Sequence, residues 1–158
     1  MRVSGQQVIG FVKGIAVMAT NNTSVIESVD AGISRHIGYY SDAAAVKETQ
    51  QGIWLFTSGT PGIDEEGRYP EGIIEQCRQV WKNIQKTLAA ARLSVRDIVK
   101  ITATVTDAAY IAPYVASRNE VLGDLKPVLM LAVVTQTFKP EILIELEVIA
   151  YGLPSGLG

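Results

Sequence analysis

Residues 126–151, KPVLMLAVVTQTFKPEILIELEVIAY, decide how this chain reads. Pro140 divides the run into two predicted strands joined by a short turn, with Glu145 and Glu147 set into the second. From Glu141 to Ala150, the residues Ile142, Ile144, Leu146 and Val148 alternate with Leu143, Glu145, Glu147 and Ile149. Successive side chains of a strand point to opposite faces. One face is therefore wholly apolar, and the other carries both carboxylates beside Leu143 and Ile149. Carboxylates rarely keep such company unless they are paired or open into a cleft.

Upstream of this run the period changes. Asp107 is the expected N-cap of a helix over Ala108 to Leu122, with Gly123 as its stop. Pro113 is late for a first turn, which draws the helix start toward Ile111. Ile98 to Thr106 (IVKITATVT) is rich in β-branched residues and reads as a strand. Between Gly72 and Arg92, Ile73, Cys77, Trp81, Ile84, Leu88 and Ala91 recur at steps of three and four. They form one apolar stripe, with Arg78, Lys82, Gln85 and Lys86 off it. Such a helix runs roughly 30 Å, long enough to cover a sheet. Ala44 to Thr49 and Ile53 to Thr57 (IWLFT) read as strands, and Ser58-Gly59-Thr60-Pro61-Gly62 as turn chemistry. The order β-β-α-β-α-β-β predicts one sheet, two helices and a single core. Two helices on one face would leave the other face apolar and bare, a surface suited to self-association.

Composition narrows the function. Of 158 residues, 47% are hydrophobic and 19% charged, the balance of a globular domain. The net charge of −2 gives no general attraction to phosphate, so no nucleic-acid partner is expected. One cysteine and one histidine make neither a disulfide nor a zinc set, so no metal and no cofactor are expected. Cys77 lies on the helical stripe and reads as a small core residue. No stretch approaches a membrane span or a secretory signal, so no membrane partner is expected and the cytoplasm is the default location. Residues 1–35 read as an N-terminal extension, with Met18 an alternative start; 36–152 form the domain and 153–158 a tail.

Several segments together resemble one family. FTSGTPGIDEEG, the helix carrying EQCRQVWKNIQKTLAAA, then SVRDIVKITATVTD, a Pro-led strand and the closing IELEVIA look like the Rid/YjgF reactive-intermediate deaminases. HIGYYSDA resembles that family's Gly-Pro-Tyr-Ser-Gln-Ala loop, with Tyr39 in place of Pro. The match spans about Ile37 to Tyr151 and rests on the order and spacing of its parts. The resemblance implies a chorismate-mutase-like α+β fold with one mixed sheet and two helices on one face, a homotrimer, and clefts between subunits. In those clefts a small-molecule enamine or imine is hydrolysed to a carbonyl compound and ammonia. Older family names speak of endoribonucleases, a reading this chain's lack of paired histidines and of a basic stripe does not support.

By the same resemblance Glu145 would position the hydrolytic water, Tyr40 would close the cleft and Ser58 would line it. The family's Pro-Ala-Arg-Ser motif, whose Arg clamps a substrate carboxylate, reads Pro127-Val128-Leu129-Met130 here. Leucine cannot neutralise a carboxylate, which points away from small 2-imino acids toward an enamine, imine or related molecule without that group. Leu129 and Leu131 would then line an apolar pocket, or serve as core. Arg35 and the lone His36 precede the Tyr40 loop and either supply the missing cation or are merely solvated. Glu145 is either a general base in a cleft or a carboxylate on a solvated strand face, and Glu147 is structural. Ser58 has no adjacent base and is no nucleophile. Two functions stand side by side: a Rid-like hydrolase, and a trimeric binding protein without catalysis.

Overall fold

The alternation read in Glu141–Ala150 is the alternation of the folded strand. Ile142, Ile144, Leu146, Val148 and Ala150 are buried, while Glu145, Glu147, Ile149 and Tyr151 point to the other side. The structure, a computed structural model, describes residues 11–12, 15–16, 26–36, 42–47 and 52–153. The expectations for Met18, Tyr39, Tyr40 and the end of the tail fall outside these residues.

In chain order the strands are β1 (Phe11–Val12), β2 (Ile15–Ala16), β3 (Ile26–Val29), β4 (Ala43–Lys47), β5 (Ile53–Thr57) and β6 (Thr60–Pro61). Helix α1 (Ile73–Ala90), β7 (Ile98–Val105), α2 (Ile111–Leu122), β8 (Val128–Val133) and β9 (Ile144–Gly152) follow. Among the described residues β1 and β2 pair with each other. The others form a seven-stranded sheet in the order β3-β4-β5-β9-β7-β8, with β6 also pairing β9. Every pairing is antiparallel except β7 with β8. The fold is α+β with one mixed sheet, and β3 brings a segment ahead of residue 36 into it. No helix among the described residues is long and apolar enough to cross a membrane.

One expectation is corrected. The two strands of the Lys126–Tyr151 run are not joined by a short turn and are not neighbours, because β7 lies between them. Helix α2 carries the chain over from β7 to a parallel β8 at the sheet edge. The slot between β5 and β7 is left for β9, which residues 134–143 reach as a longer connection.

Local chemistry explains the helices. Asp107 accepts a bond from the Ala109 N–H (2.8 Å) and starts a short 3-10 turn over Ala108–Tyr110, after which α2 begins at Ile111. Gly123 ends it at φ 55°, a left-handed conformation that glycine adopts without penalty. Helix α1 buries the predicted Cys77, Trp81, Ile84 and Leu88, and with them Val80. It also buries Gln76, Asn83 and Thr87. The Asn83 amide donates to the Pro61 and Ile63 carbonyls (2.8 and 2.9 Å), and Gln76 donates to Glu141 O (2.7 Å) while accepting from Leu143 N–H (2.9 Å). Buried amides thus fasten α1 to β6 and the turn after it, and to the segment just ahead of β9.

Gly62 lets this happen. A Cβ there would lie 2.6 Å from the Gln76 carbonyl oxygen and 3.0 Å from its Cα, both backbone atoms that cannot swing aside. Gly62→Ala is expected to cost about 1–3 kcal/mol through overpacking, read as a lower urea midpoint at unchanged slope. An unchanged midpoint would show that α1 does not sit this tightly on the strand.

Candidate functional site

The carboxylate that the sequence singles out is held at the middle of the sheet. Glu145 pairs in register with Thr104 on β7 and Pro61 on β6. Its face is the one that the helices leave uncovered. Between the pairs Phe56–Ile149 and Thr60–Leu146, residues 57–59 face only residues 147–148. The extra residue is a β-bulge, a device that re-aims a strand and recurs beside functional sites. It brings Gly59 over the carboxylate: a Cβ on Gly59 would lie 3.8 Å from Glu145 Oε2. Ser58 is part of the same bulge, its N–H donating to Asp42 O (2.9 Å) and its carbonyl accepting from Thr60 Oγ1 (3.1 Å). Thr57 closes it from the core side by accepting the Val148 N–H on its Oγ1 (2.8 Å).

Glu145 is half-buried, and burial raises its carboxyl above the usual carboxylate range. A carboxylate pushed up in this way gains basicity, which is what a group that takes a proton from water requires. Glu147, one step along the same face, is exposed.

The other candidates separate. β8 runs in register with β7, placing Leu129 beside Ile101 and Leu131 beside Ala103; Ile101 and Ala103 are in turn paired with the buried Val148 and Leu146. Leu129 and Leu131 therefore lie on the helix-covered face, opposite to Glu145. Leu131 packs against the core, whereas Leu129 keeps 38% of its surface exposed. Within one chain these residues and Glu145 do not share a pocket. Arg35 donates from Nε to His36 Nε2 (3.3 Å), Arg35 covers Gly32, and His36 packs on Gly67. Their contacts are with these two turns. Tyr40 lies outside the described residues.

Elsewhere the chemistry is quiet. Burial pushes the Cys77 thiol up, in keeping with a core residue. The buried Tyr114 phenol is pushed up to about 12 by the same cause. Among the described residues no group of three or more His, Cys, Asp and Glu could hold a metal. The sequence reading missed Gln76 and Asn83. Their signal was available, since both are amides on the buried side of the α1 stripe, seven positions apart.

The family model described as Endoribonuclease L-PSP matches residues 33–152. A RutC family protein of Pyrococcus horikoshii is 36% identical over 117 residues, covering 73% of this chain and 88% of the relative. A 2-iminobutanoate/2-iminopropanoate deaminase of mouse is 33% identical over 73 residues, 45% of this chain and 50% of that protein. Among solved structures, RidA from an Antarctic Psychrobacter superposes with a TM-score of 0.68 at 28% identity, covering 82% of this chain and 99% of that one.

The burial of Glu145 has a pH signature. A raised folded-state value means that the protonated form favours folding. That contribution is full below the unfolded pKa and is lost as pH rises through the folded one. Glu145→Gln, neutral throughout, is expected to be more stable than the parent near pH 7 and to match it near pH 4, in urea denaturation at both. Equal stability near pH 7 would show that the carboxylate is fully hydrated.

Proposed function

The chain belongs to the Rid/YjgF family, the Endoribonuclease L-PSP family of the matching profile, and from that premise we propose that it is a Rid-like deaminase. In this reading it hydrolyses an enamine or imine to a carbonyl compound and ammonia. Glu145 takes a proton from water as the oxygen adds to the imine carbon. Glu145 returns that proton to the nitrogen and then carries the carbinolamine's hydroxyl proton to the same nitrogen, so that the C–N bond breaks and ammonia leaves as the C=O bond forms. An enamine enters this sequence after taking a proton on carbon to become the imine. The observation that carries the reading is the half-buried Glu145 with its raised carboxyl, set beside the Ser58–Gly59 bulge. The named activity of the mouse relative supports the same chemistry.

The working form in this reading is a homotrimer with its sites between subunits. A pocket containing both Glu145 and Leu129 takes two copies, since one copy holds them on opposite faces. The uncovered face supports association: Phe56, Val128, Met130 and Tyr151 are exposed there, and Trp54 packs on Tyr151 at 4.8 Å between rings. Tyr40 and Ser58 complete the site, with Arg35 and His36 at its rim. Leu129 stands where the resemblance places a carboxylate-clamping Arg, so the substrate is not one of the small 2-imino acids held by a cation at that position. The same substitution favours a second reading, a trimer that binds its ligand without turning it over.

Ammonia release from imines generated by amino-acid oxidation tests the proposal. Glu145→Gln is expected to lower kcat about 100-fold or more while KM stays within a few-fold, because the proton transfer is lost and the binding surface is kept. Sedimentation is expected to give three copies of the 17.1 kDa chain. Equal ammonia release with and without the protein, on apolar and acidic imines alike, would leave only the binding reading.

A further inference from the structure

A cavity of about 450 Å³ lies between the C-terminal half of α2 and the start of β8. That is the size of a pocket for a small organic molecule. Ile101, Leu122, Leu125 and Leu129 line it with apolar surface, the first two of them buried, and Arg118 and Lys126 line it as well. The position that holds a leucine in place of a cation is thus flanked by two cations from neighbouring segments.

Arg118 spends two of its donors, Nε and Nη2, on one neutral acceptor, the Asn119 side-chain oxygen (3.3 and 2.9 Å). Neither Arg118 nor Lys126 enters an ion pair among the described residues. The acids closest in sequence, Glu120 and Asp124, are exposed to solvent. The end of a helix presents carbonyl oxygens, which would repel an anion. Here the Asn119 carbonyl accepts from Gly123 N–H and the Leu122 carbonyl from Leu125 N–H, both at 3.0 Å, so these two are turned to partners of their own. Gly123 adds to the opening, since a Cβ there would meet no atom within 4 Å.

We propose that this cavity binds an amphipathic organic acid, its apolar body on the leucine-rich lining and its carboxylate between Arg118 and Lys126. Arg118 offers a planar fork and Lys126 a point charge, and together they recognise an anion whose charge is separated by a short apolar spacer from the part lying on Leu129. The inference rests on the proposed function for the identity of this acid as a substrate, since Leu129 belongs to both; binding of the acid itself needs no catalysis. The class is larger than a 2-imino acid clamped at position 129.

Isothermal titration of the full chain with 4-phenylbutanoate, and with the uncharged 4-phenylbutanamide, tests the proposal. The acid is expected to bind at least about tenfold more tightly than the amide, the range of one charge-assisted hydrogen bond. Arg118→Gln is expected to abolish that preference while leaving amide binding unchanged, and Lys126→Gln to reduce it. Equal affinities for acid and amide, no binding of either at millimolar concentration, or a preference that survives both substitutions would overturn it. Glu145→Gln separates the two readings: it is expected to keep acid binding while ammonia release falls. Acid binding in a protein that releases no ammonia from any imine defeats the hydrolytic reading alone. Ammonia release without acid binding defeats this one alone.

Discussion

The parity of a single strand governs this molecule. β9 lies between β5 and β7 and must present Ile144, Leu146, Val148 and Ala150 to α1 while keeping Glu145 and Glu147 out of the core. A slip of one residue would exchange the two sets and drive two carboxylates under the helices, at a cost of several kcal/mol for each. The register is accordingly pinned by more than the ladder. Gln76 on α1 holds the backbone of Glu141 and Leu143 just before the strand begins, and Thr57 takes the N–H of Val148 within it. Each bond is modest, but each leaves a buried polar group unsatisfied in the slipped state, and that asymmetry makes the alternative unfavourable.

The same strand sets the chemistry. β5 and β6 approach it as nearly one strand, interrupted at Ser58–Gly59, and the interruption falls beside Glu145. A regular ladder with a side chain at residue 59 would bring more apolar surface against the carboxylate. The bulge, with glycine in it, leaves Glu145 withdrawn from water yet accessible. Its environment differs from that of Glu147 one step away on the same face, which is exposed. Two acids with the same sequence pattern are thus separated by what the neighbouring strand does opposite them.

Much of this was legible beforehand, for definable reasons. The alternation in 141–150 is strong enough to fix both faces of β9, and the helical stripe of α1 and the capping of Asp107 are local signals that the fold obeys. The strand order was not legible. Adjacent apolar runs divided by Pro140 invite a short connection, whereas the neighbours of β9 are chosen by the α2 crossover, a long-range matter. Nor was the side of the sheet on which Leu129 falls, because β8 takes its register from β7 through parallel pairing and not from its own nearly uniform apolar pattern. Glu145 could be named from its pattern and the family resemblance; its partition from Leu129 required knowing the rows Leu129–Ile101–Val148 and Ala132–Thr104–Glu145.

The position of β9 also bears on how the chain reaches this state. It is the last of the described strands to leave a ribosome, yet it is the seam between the group β3-β4-β5 and the pair β7-β8. Until it emerges, the two groups have no hydrogen bonds joining them, and α1 has no finished surface to rest on. Folding must therefore close its longest loops last, a slow class of event. Between the emergence of β7 and that of β9 the nascent protein carries two open sheet edges, the condition in which a chaperone has most to protect.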